Sequence, residues 1–478
     1  MPETLTGKDT QTPDDNGEVA WLPDLIYTGG RFESGVALVC DEAGIIRRLA
    51  RADEVAARVV RLKNRALLPG LVNAHSHAFQ RVIRGRTERR AGEGQDNFWT
   101  WREMMYSAAT RLGPEDIYDA SRMAFLEMAA GGATTVGEFH YLHRTPDGRE
   151  YDDPNLLAKE VLRAARDVGL RIALLRVAYA RSGYLAAPNE RQARFIEADP
   201  QIYLRHVERL ASELKGDTRA WVGVAPHSVR AVPLPYLREV IAYAGAHSLP
   251  VHMHVAEQPL EIAACLEEHG RTPVALLDAE GLLGERFTGV HAIHITDEEA
   301  RMMARARALV CACPTTERNL GDGIVKADLL FKENVRVSLG TDSHAQIDLL
   351  EDARELEYHL RLQKLERAVL SEDTDDAPSS LAARLFDCAT LHGAQSTGAQ
   401  TGALEPVRPA DFFTVDLNDP SIAGASSDSL LACILFSLAR TSVREVCVGG
   451  KLIIEDGRHK AEADIIERFI ALQRKLWN

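Results

Sequence analysis

Leu68-Pro69-Gly70-Leu71-Val72-Asn73-Ala74-His75-Ser76-His77-Ala78-Phe79-Gln80-Arg81 is the stretch on which the reading of this chain turns. A Pro-Gly break precedes a short apolar run, and the run ends in two histidines one residue apart. Side chains alternate across a strand, so positions i and i+2 share a face. A strand over 71–77 therefore sets His75 and His77 side by side at its end, half of a site for a divalent metal such as zinc. A bare His-x-His also fits two polar residues at a strand exit. The rest of the chain has to decide between the two.

Upstream, residues 1–17 are polar and rich in Thr, Asp and Pro, the composition of a disordered leader. Residues 18–67 hold short β-prone pieces at Leu25–Tyr27, Gly35–Cys40, Ile45–Leu49 and Val59–Leu62, with a hairpin turn at Asp41–Gly44. Downstream, strand and helix alternate. Gly113-Pro114 opens a helix whose buried side is marked by Ile117, Met123, Phe125 and Met128, and Gly131-Gly132 stops it. Strands follow at Ala133–Phe139, Arg171–Tyr179, Ala220–Ala225, Pro250–Val255, Thr288–Ile293, Ala308–Cys313 and Val335–Leu339. With 71–77 they make eight, the arithmetic of an α/β fold, a (β/α)8 TIM-type barrel over 68–400 with its site at the C-terminal strand ends. Residues 343–400 read as mainly helical, with an acidic loop near Glu372–Asp376. From 401 to 478 the β pattern returns at Phe412–Asp416, Val443–Val448 and Lys451–Ile454, and a helix closes the chain at Ile465–Leu476. The two flanking β segments are expected to form one small β-sandwich beside the barrel.

The strand ends carry the chemistry. In His252-Met253-His254-Val255-Ala256-Glu257, His254 lies nearer the strand end and is the third metal-ligand candidate. His252 lies a layer deeper, where a hydrogen-bonded core histidine is expected. Glu257 stands just past the strand, able to reach over the site. His291 ends another strand, and Asp342 follows directly on the apolar Val335–Leu339. Singly, each has an ordinary explanation: a capping Asp, a solvated Glu, a satisfied His. Four strands ending in ligand-type side chains are harder to attribute to chance. Catalytic zinc takes about three protein ligands and leaves a place for water, whose pKa falls from about 16 towards 7. A neighbouring carboxylate can then accept the proton. The strand at 220–227 offers no lysine to bridge two ions, which favours one metal.

Composition bounds the partners. A net charge of −14 argues against non-specific nucleic-acid binding and against docking on anionic membrane. The seven cysteines include no Cys-x-x-Cys; Cys311-Ala312-Cys313 has no second cysteine pair beside it. Reduced, buried thiols in a cytoplasmic protein are expected. No apolar run reaches the roughly 18 residues of a membrane span, and no secretory signal is seen.

At this point the chain resembles the amidohydrolase superfamily, specifically its single-zinc aminohydrolases. The motifs that carry the resemblance are Pro69–His77, His254-x-x-Glu257, the strand-end His291 and Gly340-Thr341-Asp342. Within that group, His75–Arg81, Phe98-Trp99-Thr100-Trp101-Arg102, Glu138–Tyr141, Pro226–Arg230, His254–Gln258, Cys313-Pro314-Thr315-Thr316-Glu317 and Asn319–Gly323 are similar to the deiminases acting on N-formimino-L-glutamate. The resemblance implies one zinc per chain held by His75, His77, His254 and Asp342. It implies Glu257, His291 and Asp342 as proton-handling groups, and Gln80, Arg102, Tyr141, His227 and Arg230 as substrate-binding ones. It also implies a homodimer. An arginine fork suits a substrate with two carboxylates, although Arg102 also fits a surface arginine packed on Trp. The alternatives are N-formimino-L-aspartate, an aromatic base such as guanine, and a metal-free scaffold on the same barrel.

Overall fold

The computed structural model describes residues 17–89, 96–187, 189–371 and 380–478. The leader up to residue 16 and the acidic loop Glu372–Asp376 lie outside the described residues.

Five strands come first: β1 (Val19–Thr28), β2 (Arg31–Glu33), β3 (Val36–Cys40), β4 (Ile46–Arg51) and β5 (Arg58–Pro69). Eight parallel strands follow: β6 (Leu71–Ser76), β7 (Ala133–His140), β8 (Arg171–Ala178), β9 (Ala220–Pro226), β10 (Val251–Val255), β11 (Phe287–His291), β12 (Leu309–Ala312) and β13 (Arg336–Leu339). They pair in sequence order from β6 to β13, so each strand lies beside its neighbour in the chain. β6, β7 and β8 are buried at every position. Their nearly unbroken apolar runs suit parallel strands covered on both faces. The helix Pro114–Ala130 between β6 and β7 shows the local grammar: proline at its first turn, and Asp116 accepting the Gly113 N–H at 2.8 Å. This is an α/β fold, a nearly closed barrel of eight parallel strands with a separate mixed sheet.

The barrel closes through a single bridge, Ser76 to Asp342. The Asp342 N–H donates to the His75 carbonyl at 3.0 Å, and the His77 N–H to the Asp342 carbonyl at 3.1 Å. First and last strand are thus joined by the residues singled out as metal ligands.

The remaining strands are β14 (Phe412–Asp416), β15 (Val443–Val448), β16 (Lys451–Glu455) and β17 (Arg458–His459). They join β1–β5 in one continuous mixed sheet, because β14 runs antiparallel to β5 with Phe412 opposite Pro69. The expected sandwich is made by one sheet curling on itself. Leu38 of β3 and Ile46 beside it share a buried cluster with Phe412 and Cys447 from the other arm. A buried ion pair ties sheet to barrel, with the Arg171 Nε at the base of β8 donating to Asp411 at 2.6 Å. Among the described residues no helix is long and apolar enough to cross a membrane.

Candidate active site

His75 and His77 leave the end of β6 on one face, as strand alternation requires, and both are buried. Their Nε2 atoms lie 3.2 Å apart, a spacing that suits either an N–H of one ring donating to the other or two lone pairs turned to one ion. Asp342, two residues past Gly340 at the end of β13, brings Oδ1 to 3.3 Å from His75 Nε2 and 3.2 Å from His77 Nε2. His254 completes the group from β10, and one donor atom from each of the four lies within 4.8 Å of the others. The outer nitrogens of two histidines are tethered. Carbonyl oxygens only accept, so Nδ1 of His77 donates to Phe139 (2.9 Å) and Nδ1 of His254 to His227 (3.1 Å). Both Nε2 lone pairs are then free to face the centre. Two nitrogens held about 2.0–2.1 Å from a common zinc at the tetrahedral angle are about 3.3 Å apart, close to the spacing observed. Burial pushes His75 down to about 3, and burial with the neighbouring His227 and His75 pushes His254 well below its ordinary value, so both rings are neutral, the form in which an imidazole can bind a metal. Burial opposes the charge on Asp342, but the close contacts of its carboxylate with the His75 and His77 rings, with His291 beyond them, hold the carboxyl well below its usual range. The donor set fits a divalent metal.

His291 ends β11 over this group. Its Nε2 lies 3.7 Å from Glu257 Oε1 and 3.8 Å from Asp342 Oδ2. Burial pushes the Glu257 carboxyl well above its ordinary value, the state of a group able to deliver a proton. Backbone strain collects here: Ala256, His291, Ala292, Asp342 and His344 all have φ between 42° and 72°. His252 is a buried core residue, its Nε2 donating to the Ser396 carbonyl at 2.9 Å.

One pocket opens above the metal-type group, and every substrate-binding candidate reaches it. Gln80 donates to the Tyr141 hydroxyl at 2.8 Å. Arg230, in the loop beyond β9, anchors one nitrogen on the Ser182 carbonyl at 2.9 Å and turns towards the pocket. Arg102 sits on the helix Phe98–Ala109, its guanidinium 4.4 Å from the Trp99 ring centre and 5.4 Å from that of Tyr106. The packing on Trp foreseen for a surface arginine is present, yet the residue lines the pocket. Burial, then Arg230, holds His227 well below its ordinary value, so it is neutral between two guanidinium groups.

Two glutamates that fall within the quoted motifs were given no role in the sequence reading. Glu317, wholly buried, meets Nδ1 of His291 at 3.2 Å. It also accepts the Cys313 N–H at 2.9 Å. Below the ligands, Glu138 binds the Ser76 hydroxyl (2.5 Å) and the Ala78 N–H (2.7 Å), and Ser76 reaches His344 at 3.1 Å. That chain braces the His75–His77 strand end from beneath.

The model of the family described as "Amidohydrolase family" matches residues 66–453. The chain belongs to the amidohydrolase family. It is a homologue of a formimidoylglutamate deiminase from Pseudomonas aeruginosa, 40% identical over 96% of this chain and 98% of that one. A crystal structure of an amidohydrolase from Brucella melitensis superposes with a TM-score of 0.88, covering 96% of this chain and all of that one at 34% identity. An adenosine deaminase from Xanthomonas campestris, solved with bound zinc, shares the fold at a TM-score of 0.80. It covers 97% of this chain and 99% of that one at 22% identity.

Proposed function

We propose that this amidohydrolase converts N-formimino-L-glutamate and water to N-formyl-L-glutamate and ammonia, with one zinc ion per chain. The observation that carries the reading is the pairing of two guanidinium groups, Arg230 and Arg102, with a donor group of three histidines and one aspartate in one pocket. A linear dicarboxylate with a reacting C–N end matches that layout. The Pseudomonas aeruginosa relative supports it over nearly the whole chain. His75, His77, His254 and Asp342 would hold the metal, which when bound makes water acidic enough to react near neutral pH. Asp342 accepts the proton of the attacking water. His291 orients that water from the other side through Nε2. Glu257 delivers a proton to the imino nitrogen and takes up the hydroxyl proton of the tetrahedral intermediate, while the proton held by Asp342 passes to the same nitrogen as the C–N bond breaks, so that the nitrogen leaves as ammonia and the carbon keeps the oxygen as a formyl group. Gln80, Tyr141 and His227 line the wall along which the formimino group lies. The resemblance that implies zinc also implies a homodimer, and seven cysteines without a disulfide suit a reducing cytoplasm.

The test is ammonia release from N-formimino-L-glutamate, beside N-formimino-L-aspartate and guanine, with metal content measured on the same sample. Turnover of the glutamate compound and about one zinc per chain is the expected result. Deamination of guanine alone would overturn the substrate. A metal-free, inactive protein that cannot be reconstituted would point to a scaffold.

A further inference from the structure

Glu317 is a buried carboxylate whose ion-pair partner among the described residues is His291, with neither arginine nor lysine in reach. A carboxylate accepts only, so His291 Nδ1 is the donor in their 3.2 Å contact. The position of the imidazole is set by the backbone: His291 has φ 72° at the end of β11, and the next N–H is tied to Val255 at 3.0 Å. Its rotation is not. The last torsion of a histidine is broad and roughly two-fold, so a flipped ring would fit the same space. The flip would turn a C–H towards Glu317 and take Nε2 away from Glu257 and Asp342. The Glu317 carboxylate is itself fixed, since the same oxygen accepts the Cys313 N–H from the end of β12, and the helix Pro314–Leu320 carries it.

We propose that Glu317 is a positioning residue for the hydrolytic step: it locks His291 with Nδ1 as donor, so that Nε2 points at the reacting centre between Glu257 and Asp342. This rests on the hydrolytic reading of the site given above. Glu317 touches no reacting atom and acts through His291.

The test uses metal-loaded protein and four variants: Glu317→Ala, Glu317→Gln, His291→Asn and the double variant Glu317→Ala/His291→Asn. Glu317→Ala is expected to lower kcat about 100-fold, at the upper end for loss of a group that orients a ligand or base, with KM within about threefold and metal content at the parental level. Glu317→Gln keeps an acceptor oxygen and is expected to stay within about tenfold of the parent, which also covers a fold failure of the alanine variant. In the His291→Asn background, Glu317→Ala should cost nothing further. A parental kcat in Glu317→Ala, an equal loss in both backgrounds, or a loss in step with bound metal would each overturn the proposal. If the parent leaves N-formimino-L-glutamate untouched, the functional reading fails. The 15N spectrum then decides the role of Glu317, with the His291 resonance assigned by its loss in His291→Asn. An Nδ1-protonated signal that Glu317→Ala shifts supports the proposal, and an unchanged one overturns it.

Discussion

Gly340→Ala should disarm the metal site without touching a donor atom. Gly340 follows β13 and lies against the strand that carries His75. A Cβ built there meets His75 Cβ at 2.7 Å, its carbonyl oxygen at 2.8 Å and its nitrogen at 2.9 Å, where ordinary contacts begin at 3.4 Å. None of the three is the end of a flexible side chain. The two strands must part by about 0.5–0.7 Å, whereas metal–ligand distances tolerate about 0.2 Å. Metal affinity is expected to fall by about 10–100-fold, or about 1.4–2.7 kcal/mol, the range seen when support around a ligand is lost. The assay is metal retained after graded chelator competition, read beside far-UV circular dichroism. Gly245→Ala is the control: that glycine lies within the helix Leu234–His247 with nothing within 4 Å of its Cβ, and its metal retention should be parental. If Gly340→Ala binds metal as the parent does, the idea that close β6–β13 packing sets the ligand geometry is wrong.

Arg230→Met removes one guanidinium from the pocket. Loss of a charge-assisted hydrogen bond to a substrate carboxylate is worth about 1.5–3 kcal/mol, so kcat/KM should fall about 10–150-fold. The loss should appear mainly in KM, because the carboxylate is bound alike before and during reaction; a loss confined to kcat would contradict the assignment. The second prediction concerns acid stability. Glu197 pairs with Arg176 at 2.5 and 3.0 Å, and their side chains are 3% and 0% exposed. Burial opposes the charge on Glu197, but Arg176, His143 and His206 outweigh it and hold the carboxyl far below its ordinary value. A depressed folded-state value contributes stability above the unfolded carboxyl value of about 4.3, which is lost as pH falls below it. Glu197→Gln should cost about 3–5 kcal/mol near pH 7 by stranding the buried guanidinium, and the gap between variant and parent should narrow below about pH 4.5. Thermal midpoints of both proteins across pH 3–8 check this, and a constant gap would refute it.

The sequence alone carried the eight strands, the small β segments at both ends and the face that His75 shares with His77. Those signals are local: period-2 alternation, unbroken apolar runs, and proline and glycine at helix ends act within a few residues of one another. The ligand-type residues could be picked out because each sits where a strand stops, and a parallel barrel gathers all such ends on one face. Tertiary structure decided what those ends do to one another. It closed the barrel through Ser76 and Asp342, 266 positions apart in the numbering, and so made the metal-type group part of the closure itself. It joined the two flanking β segments into one sheet through β5 and β14. It set Glu317 against His291 twenty-six residues earlier. It also brought Arg102 over the aromatic rings to the same pocket as Arg230. Such pairings depend on strand order, tilt and packing across the whole domain, and no stretch of residues contains them by itself.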